Sequence, residues 1–151
     1  MIKIICLGKI KETYFEQAIR EYQKRLTKYT NLEIVELPDE KTDDKQLALR
    51  KEKDRLLKII NPKDYVITLE ITGKEYDSIS FAQHLEKLQM EHANITFIIG
   101  SSHGLDPAIT MLSQEKISFS KMTFPHQLFR ILLLEQLYRS FKIMHNETYH
   151  K

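Results

Sequence analysis

The feature that most restricts this chain is an alternation that recurs five times. A short run rich in β-branched residues is followed each time by a longer stretch with apolar side chains at helical spacing. The short runs fall at 1–7, 32–37, 65–71, 95–99 and 117–119. Strands separated by helices cannot pair as tight hairpins. The pattern therefore predicts an α/β fold, a mostly parallel sheet with helices on both faces. The run over 95–99 (ITFII) is continuous rather than alternating, so it reads as a strand covered on both faces at the centre of the sheet.

Local signals set the helix limits. Thr13 and Glu16 have capping-box spacing ahead of Phe15, Ile19, Tyr22, Leu26 and Tyr29, which predicts a helix over 13–29. Asp43 and Asp44 can cap a Lys- and Glu-rich helix that Pro62 stops near residue 60. Gly73 is expected to turn the chain after the third strand, and Ser80 with Gln83 predicts a capped helix over 80–91. Asp106 before Pro107 pairs a capping side chain with a residue suited to a first helical turn, giving a short helix to about 112. The last helix is expected over 125–144.

With 151 residues and no repeat, linker or break in composition, residues 1–151 read as one domain. Hydrophobic side chains make up 42% and charged ones 29%, which excludes a disordered chain. The longest apolar run, 131–134, is far short of the roughly 20 residues of a membrane helix, so no membrane partner is expected. Cys6 is the one cysteine and cannot close an internal disulfide, and no secretory pattern opens the chain, so a cytoplasmic protein is predicted. A net charge of 23 − 21 = +2 gives no general coat for nucleic acid. Residues 95–151 hold only 6 basic and 4 acidic side chains but 4 of the 6 histidines. An anionic partner is expected to meet that third through a few placed contacts.

The last helix has apolar residues on every side: Leu128, Phe129, Ile131, Leu132, Leu133, Leu134, Leu137, Tyr138, Phe141 and Ile143. Such a helix is buried nearly all round, either as the core helix of a monomer or between its own sheet and a second subunit. The homodimer is the simpler account.

Ligands of a parallel α/β sheet collect at the C-terminal ends of its strands. Three loops leave such ends, at 71–74, 100–104 and 120–125. Gly100 and Gly104 suit a close backbone approach and positive φ, or simply a tight turn. No G-x-G-x-x-G, P-loop or G-x-S-x-G pattern occurs, which disfavours a usual dinucleotide site, a P-loop and a hydrolase elbow. Scattered histidines and one cysteine offer no ligand set, so no metal is expected. Glu135 and Arg139 are four apart on the last helix, either a surface pair or an ion pair that holds something within an apolar setting. Tyr149, His150 and Lys151 place a ring, a titratable group and a cation at an end that in most chains is frayed.

The residues then match a family pattern. ISFSKMTFPHQL over 117–128, Arg130, LEQLYRSFKI over 134–143 and the closing Tyr149-His150-Lys151 closely resemble the RlmH family. So do Gly8-Lys9, Leu37-Pro38-Asp39-Glu40, Thr68-Leu69-Glu70-Ile71 with Gly73-Lys74, and Phe97-Ile98-Ile99-Gly100, in order and end to end. That family methylates a pseudouridine of large-subunit ribosomal RNA and belongs to the SPOUT superfamily. The resemblance implies a C-terminal trefoil knot, which periodicity cannot reveal, and a homodimer that acts on assembled ribosomes. It implies S-adenosylmethionine bound by Leu69, Gly100, Phe119, Ser120, Lys121, Met122, Thr123 and Phe124. It carries the family's active-site pattern onto Glu135, Arg139, Tyr149 and His150, with Lys151 as the basic end. Two positions depart from it: Ser101 stands where a second glycine is common, and Asn146 where many members have glycine. The chemistry implied is methyl transfer to N3 of the base, with His150, Arg139 and Glu135 as unranked candidates for handling the N3 proton. A non-enzymatic ribosome-associated factor and a nucleotide-binding regulator are the alternatives.

Overall fold

A computed structural model describes residues 1–151. Five strands, β1 (Ile2–Leu7), β2 (Leu32–Leu37), β3 (Tyr65–Glu75), β4 (Ile95–Ile99) and β5 (Glu115–Ser118), form one sheet in the order β2-β1-β4-β3-β5. Every pairing is parallel, as the alternation requires. β4 lies in the middle and all five of its residues are buried.

The helices are α1 (Thr13–Leu26), α2 (Lys45–Ile59), α3 (Ser78–Glu91), α4 (Pro107–Leu112) and α5 (His126–Met144). Side chains alternate across each strand, and the two faces make separate cores. Ile2, Ile4, Cys6, Ile67, Phe97 and Ile99 pack against α1, α3 and α5 through Ile19, Leu26, Leu85 and Leu133. Ile5, Leu7, Val66 and Ile98 meet Leu56 of α2 and Ile109 of α4 on the other face.

Several local expectations are corrected. Thr13 does not cap α1. It is the first helical residue, the preceding Glu12 caps nothing with its side chain, and Glu16 instead pairs with Arg20 one turn on. The helix ends at Leu26, so Tyr29 lies in the following turn. α3 starts two residues early because Asp77, not Ser80, is the cap, accepting from the Ser80 N–H at 2.7 Å. Asp44 alone caps α2, accepting from Leu47 N at 3.1 Å, and Asp106 caps α4 as expected. β5 begins two residues early and stops before Phe119, and α5 starts at His126 with Pro125 at the cap position. Gly73 makes no turn: β3 runs on through it to Glu75 after a register shift between Leu69 and Lys74. A Cβ at Gly73 would lie 2.5 Å from the backbone carbon of Ile117, so the missing side chain lets β3 and β5 approach closely at the register shift.

α5 lies between α1 and α3, packing against both. That arrangement buries Leu133, Leu134, Leu137 and Phe141 within one chain, while Leu128, Ile131, Leu132, Glu135 and Arg139 are half-buried. The monomer thus accounts for one side of the apolar helix. No helix of the chain is long and apolar enough to cross a membrane.

Candidate active site

Two strand-end loops and the irregular middle of β3 converge on one cleft of about 970 Å³. Leu69 to Thr72 lie within β3 at its register shift, Ile99 to Leu105 lead on from the end of β4, and Ser118 to His126 link β5 to α5. Leu69, Gly100, Phe119, Ser120, Met122, Thr123 and Phe124 all line it. Lys121 is exposed and is not among the lining residues.

Packing explains the shape of the walls. Phe119 stands between Phe81 and Phe129, at ring distances of 6.0 and 5.0 Å, and Phe124 stacks on Phe129 at 6.3 Å. The 118–122 turn is tied by the Ser118 hydroxyl donating to Ser120 O at 2.9 Å and Met122 N donating to the Ser120 hydroxyl at 3.0 Å. Only Gly104 of the expected pair has positive φ, at 83°. Gly100 is required for space instead, since a Cβ there would lie 2.6 Å from Gly104 O. Ser101, at the position that departs from the family pattern, is buried and donates to Glu52 Oε1 at 2.8 Å. Glu52 also accepts from Glu40 N at 2.9 Å, so α2 holds both the glycine loop and the segment after β2.

The charged side chains that line the cleft are Lys45 and Glu70. Glu70 accepts from the Thr68 hydroxyl at 2.7 Å and from the Thr110 hydroxyl at 2.9 and 3.0 Å. His126 lines the opposite wall. Burial, reinforced by Arg130, holds its pKa below the ordinary histidine value, so its ring is neutral near pH 7.

The four expected catalytic residues meet at the far part of α5. Arg139 Nε donates to Glu135 Oε1 at 2.7 Å, and the Tyr149 hydroxyl donates to Glu135 Oε2 at 2.8 Å. The Arg139 guanidinium lies 4.7 Å from the centre of the Tyr149 ring, and that ring meets Tyr138 edge-on at 5.0 Å. Burial and the bond to Glu135 push the Tyr149 pKa up to about 12, so the phenol keeps its proton. Arg139 Nη1 lies 3.0 Å from His150 Nδ1. A guanidinium only donates, so Nδ1 accepts and the hydrogen of the neutral ring sits on Nε2. The pair reads as neither a free surface pair nor a core one: its side chains are 25% and 19% exposed and covered by the tail. Asn146 makes this possible by taking φ 53°, a left-handed turn that asparagine tolerates better than most residues.

None of these four residues lines the cleft. Phe129 is the last cleft residue on α5, and Glu135 follows 135 − 129 = 6 residues later, roughly 9 Å along the axis. One protomer therefore brings together the cofactor set and the tail set as two clusters. No group of three or more His, Cys, Asp or Glu side chains is arranged to hold a metal ion.

Comparison with known proteins places this geometry. The family model described as "Predicted SPOUT methyltransferase" matches residues 1–150. A Clostridium perfringens strain SM101 protein named ribosomal RNA large subunit methyltransferase H 1 is 50% identical over 157 residues, covering 99% of each chain. The chain belongs to the RlmH family of SPOUT methyltransferases. A Methanococcus maripaludis strain C5 relative is 51% identical, again over 99% of both chains. Among solved structures, "a probable methylase family protein" from Haemophilus influenzae Rd KW20 has the same fold at a TM-score of 0.58. It is 16% identical, and the match covers 99% of this chain and 70% of that one.

SPOUT methyltransferases use S-adenosylmethionine, and the cleft suits it. Its volume is in the range of small-molecule sites, and its lining mixes phenylalanines with serine and threonine hydroxyls.

Proposed function

We propose that this RlmH-family chain methylates N3 of a pseudouridine in large-subunit ribosomal RNA, acting on assembled ribosomes as a homodimer. The names of its half-identical relatives support the ribosomal substrate. The observation that carries the reading is the ordered tail, whose last aromatic residues are seated on Glu135 and Arg139 rather than frayed.

Leu69, Gly100 and the 119–124 loop, Lys121 included, are the residues we assign to the cofactor. S-adenosylmethionine, when bound, supplies an activated methyl group. The protein's own tasks are to align and to deprotonate. N3 of the base is nucleophilic only without its hydrogen, and Arg139 lowers the cost of the resulting anion by its permanent charge. Glu135, the one carboxylate among the four, orients that charge and is the acceptor for the proton. His150 presents Nε2–H, a donor for a base carbonyl, rather than a free basic nitrogen. Tyr149 offers an aromatic face for a base unstacked from its loop.

The separation of cleft and tail cluster supports a dimer in which one copy's tail completes its partner's cleft. The half-buried ridge Leu128, Leu132, Glu135 and Arg139 runs along the outer side of α5 and suits a second copy. Membership of the family supports the trefoil threading in the C-terminal third. A cytoplasmic location, one methyltransferase domain over 1–151 and the absence of a metal belong to the same reading.

The test uses ribosomes from cells lacking this protein. Adding protein and S-adenosylmethionine should place one methyl group on the target pseudouridine, read by mass spectrometry and primer extension. Cofactor binding in calorimetry without any methylation would instead identify a non-enzymatic factor, and neither would refute the methyltransferase reading outright.

A further inference from the structure

Tyr29 and Glu147 line no part of the cleft and are not among the four tail-site residues. The Tyr29 hydroxyl nevertheless lies 3.0 Å from both carboxylate oxygens of Glu147, across 118 residues of sequence. Lys142 Nζ donates to the same carboxylate at 2.8 Å and Lys28 Nζ lies at 3.5 Å. Glu147 N donates to Lys142 O at 2.9 Å, which closes the turn through Asn146. The Tyr29 ring is itself fixed, stacked on Phe141 at 5.6 Å and against His145 at 5.1 Å.

α5 ends at Met144, and the tail must reverse over Asn146 to bring Tyr149 and His150 back onto Glu135 and Arg139. His150 is held there by one hydrogen bond, and Tyr149 by one hydrogen bond and the contacts of its ring with Arg139 and Tyr138, at a chain end where fraying is the default. Glu147 lies two residues before Tyr149 and is held by three side chains from α5 and the α1–β2 turn. We propose that the Tyr29, Glu147 and Lys142 cluster is a tether that presets the tail, making Tyr29 and Glu147 positioning residues for methyl transfer. This rests on the methyl-transfer reading of the tail given above. Mispositioning by about 1 Å can cost on the order of 10²-fold in rate, so a tether remote from the chemistry governs turnover without touching cofactor or base.

Tyr29→Phe removes only the hydroxyl and keeps the ring stacking; Glu147→Gln keeps the shape and removes the charge. Three readouts are taken on the full chain of each variant and of the wild type. They are calorimetry with S-adenosylmethionine, kcat and KM on unmodified ribosomes, and the rate at which carboxypeptidase releases His150 and Lys151. Both variants should bind cofactor and ribosome within about twofold of wild type, lose about tenfold in kcat, and be trimmed faster. Unchanged kcat, unchanged trimming, or a parallel loss of cofactor affinity would each overturn the tether. If the wild type transfers no methyl group, the functional reading fails by itself. Trimming then decides the tether alone, faster release supporting it and unchanged release overturning it.

Discussion

Arg130 is wholly buried on α5, where its guanidinium donates to Glu36 Oε2 at 2.5 Å and to Gly8 O at 3.0 Å. It thereby fastens the C-terminal ends of β1 and β2 to the helix that leads from cleft to tail. Removing its counter-charge strands a buried cation, so Glu36→Ala is expected to cost about 3 kcal/mol, seen as a lower urea midpoint at unchanged slope. An unshifted midpoint would contradict that role. Glu147 offers a pH signature. Lys142, then Tyr29, hold its pKa down to about 2 from the usual 4.5. A depressed carboxylate stabilises the fold above its unfolded pKa and loses that contribution as pH falls through the folded one. Urea midpoints should therefore drop between about pH 4.5 and pH 2 more steeply for wild type than for Glu147→Gln. Identical slopes would mean that Glu147 is unlinked to folding. Neither Arg130 nor Glu52 was assigned a role from sequence, though a signal existed. Arg130 shares a helical stripe with Leu133, Leu134 and Leu137, and Glu52 sits midway between Ala48 and Leu56, all of them buried. A charged residue at a core period points to a buried partner, but the partner itself lies far away in sequence.

At the scale of elements, periodicity placed all five strands and all five helices, because apolar spacing reports directly which side faces the sheet. Boundaries were less legible. Thr13 with Glu16 and Ser80 with Gln83 have the spacing of a capping box, yet a competing upstream residue, Asp77, won at α3, and α1 starts with no side-chain cap. The resemblance of α5 to a helix buried all round has two origins that spacing cannot separate. α1 and α3 cover one side, and the ridge through Leu128 and Leu132 is left half-buried, the face that the proposed dimer would cover. Leu132→Asp is thus expected to yield a monomer in light scattering with its fold retained, and to abolish methyl transfer. A dimer surviving that change would move the subunit contact elsewhere.

For the whole molecule, a ligand held in the cleft would touch β3 and the loops after β4 and β5, and so would stabilise the folded state. S-adenosylmethionine at a hundred times its Kd should raise the unfolding free energy by about 2.7 kcal/mol, read as a higher thermal midpoint. Gly100→Ala places a Cβ 2.6 Å from Gly104 O and forces the loop outward. Its affinity for the cofactor should fall about tenfold, equal to about 1.4 kcal/mol, and its thermal shift should shrink accordingly. Equal shifts for the variant and the wild type would remove Gly100 from the site.

The sequence alone determined the α/β class, the central place of the strand over 95–99 and two of the cleft's loops, those after β4 and β5, since each follows from local spacing and from the direction of parallel strands; the expected loop at 71–74 is instead part of β3. Its motifs also singled out Glu135, Arg139, Tyr149 and His150. Tertiary structure decided how those four are joined, which nitrogen of His150 bears hydrogen, and that Tyr29 reaches the tail. These are contacts between residues far apart along the chain. Spacing records which face a residue occupies, and only folding determines what it meets there.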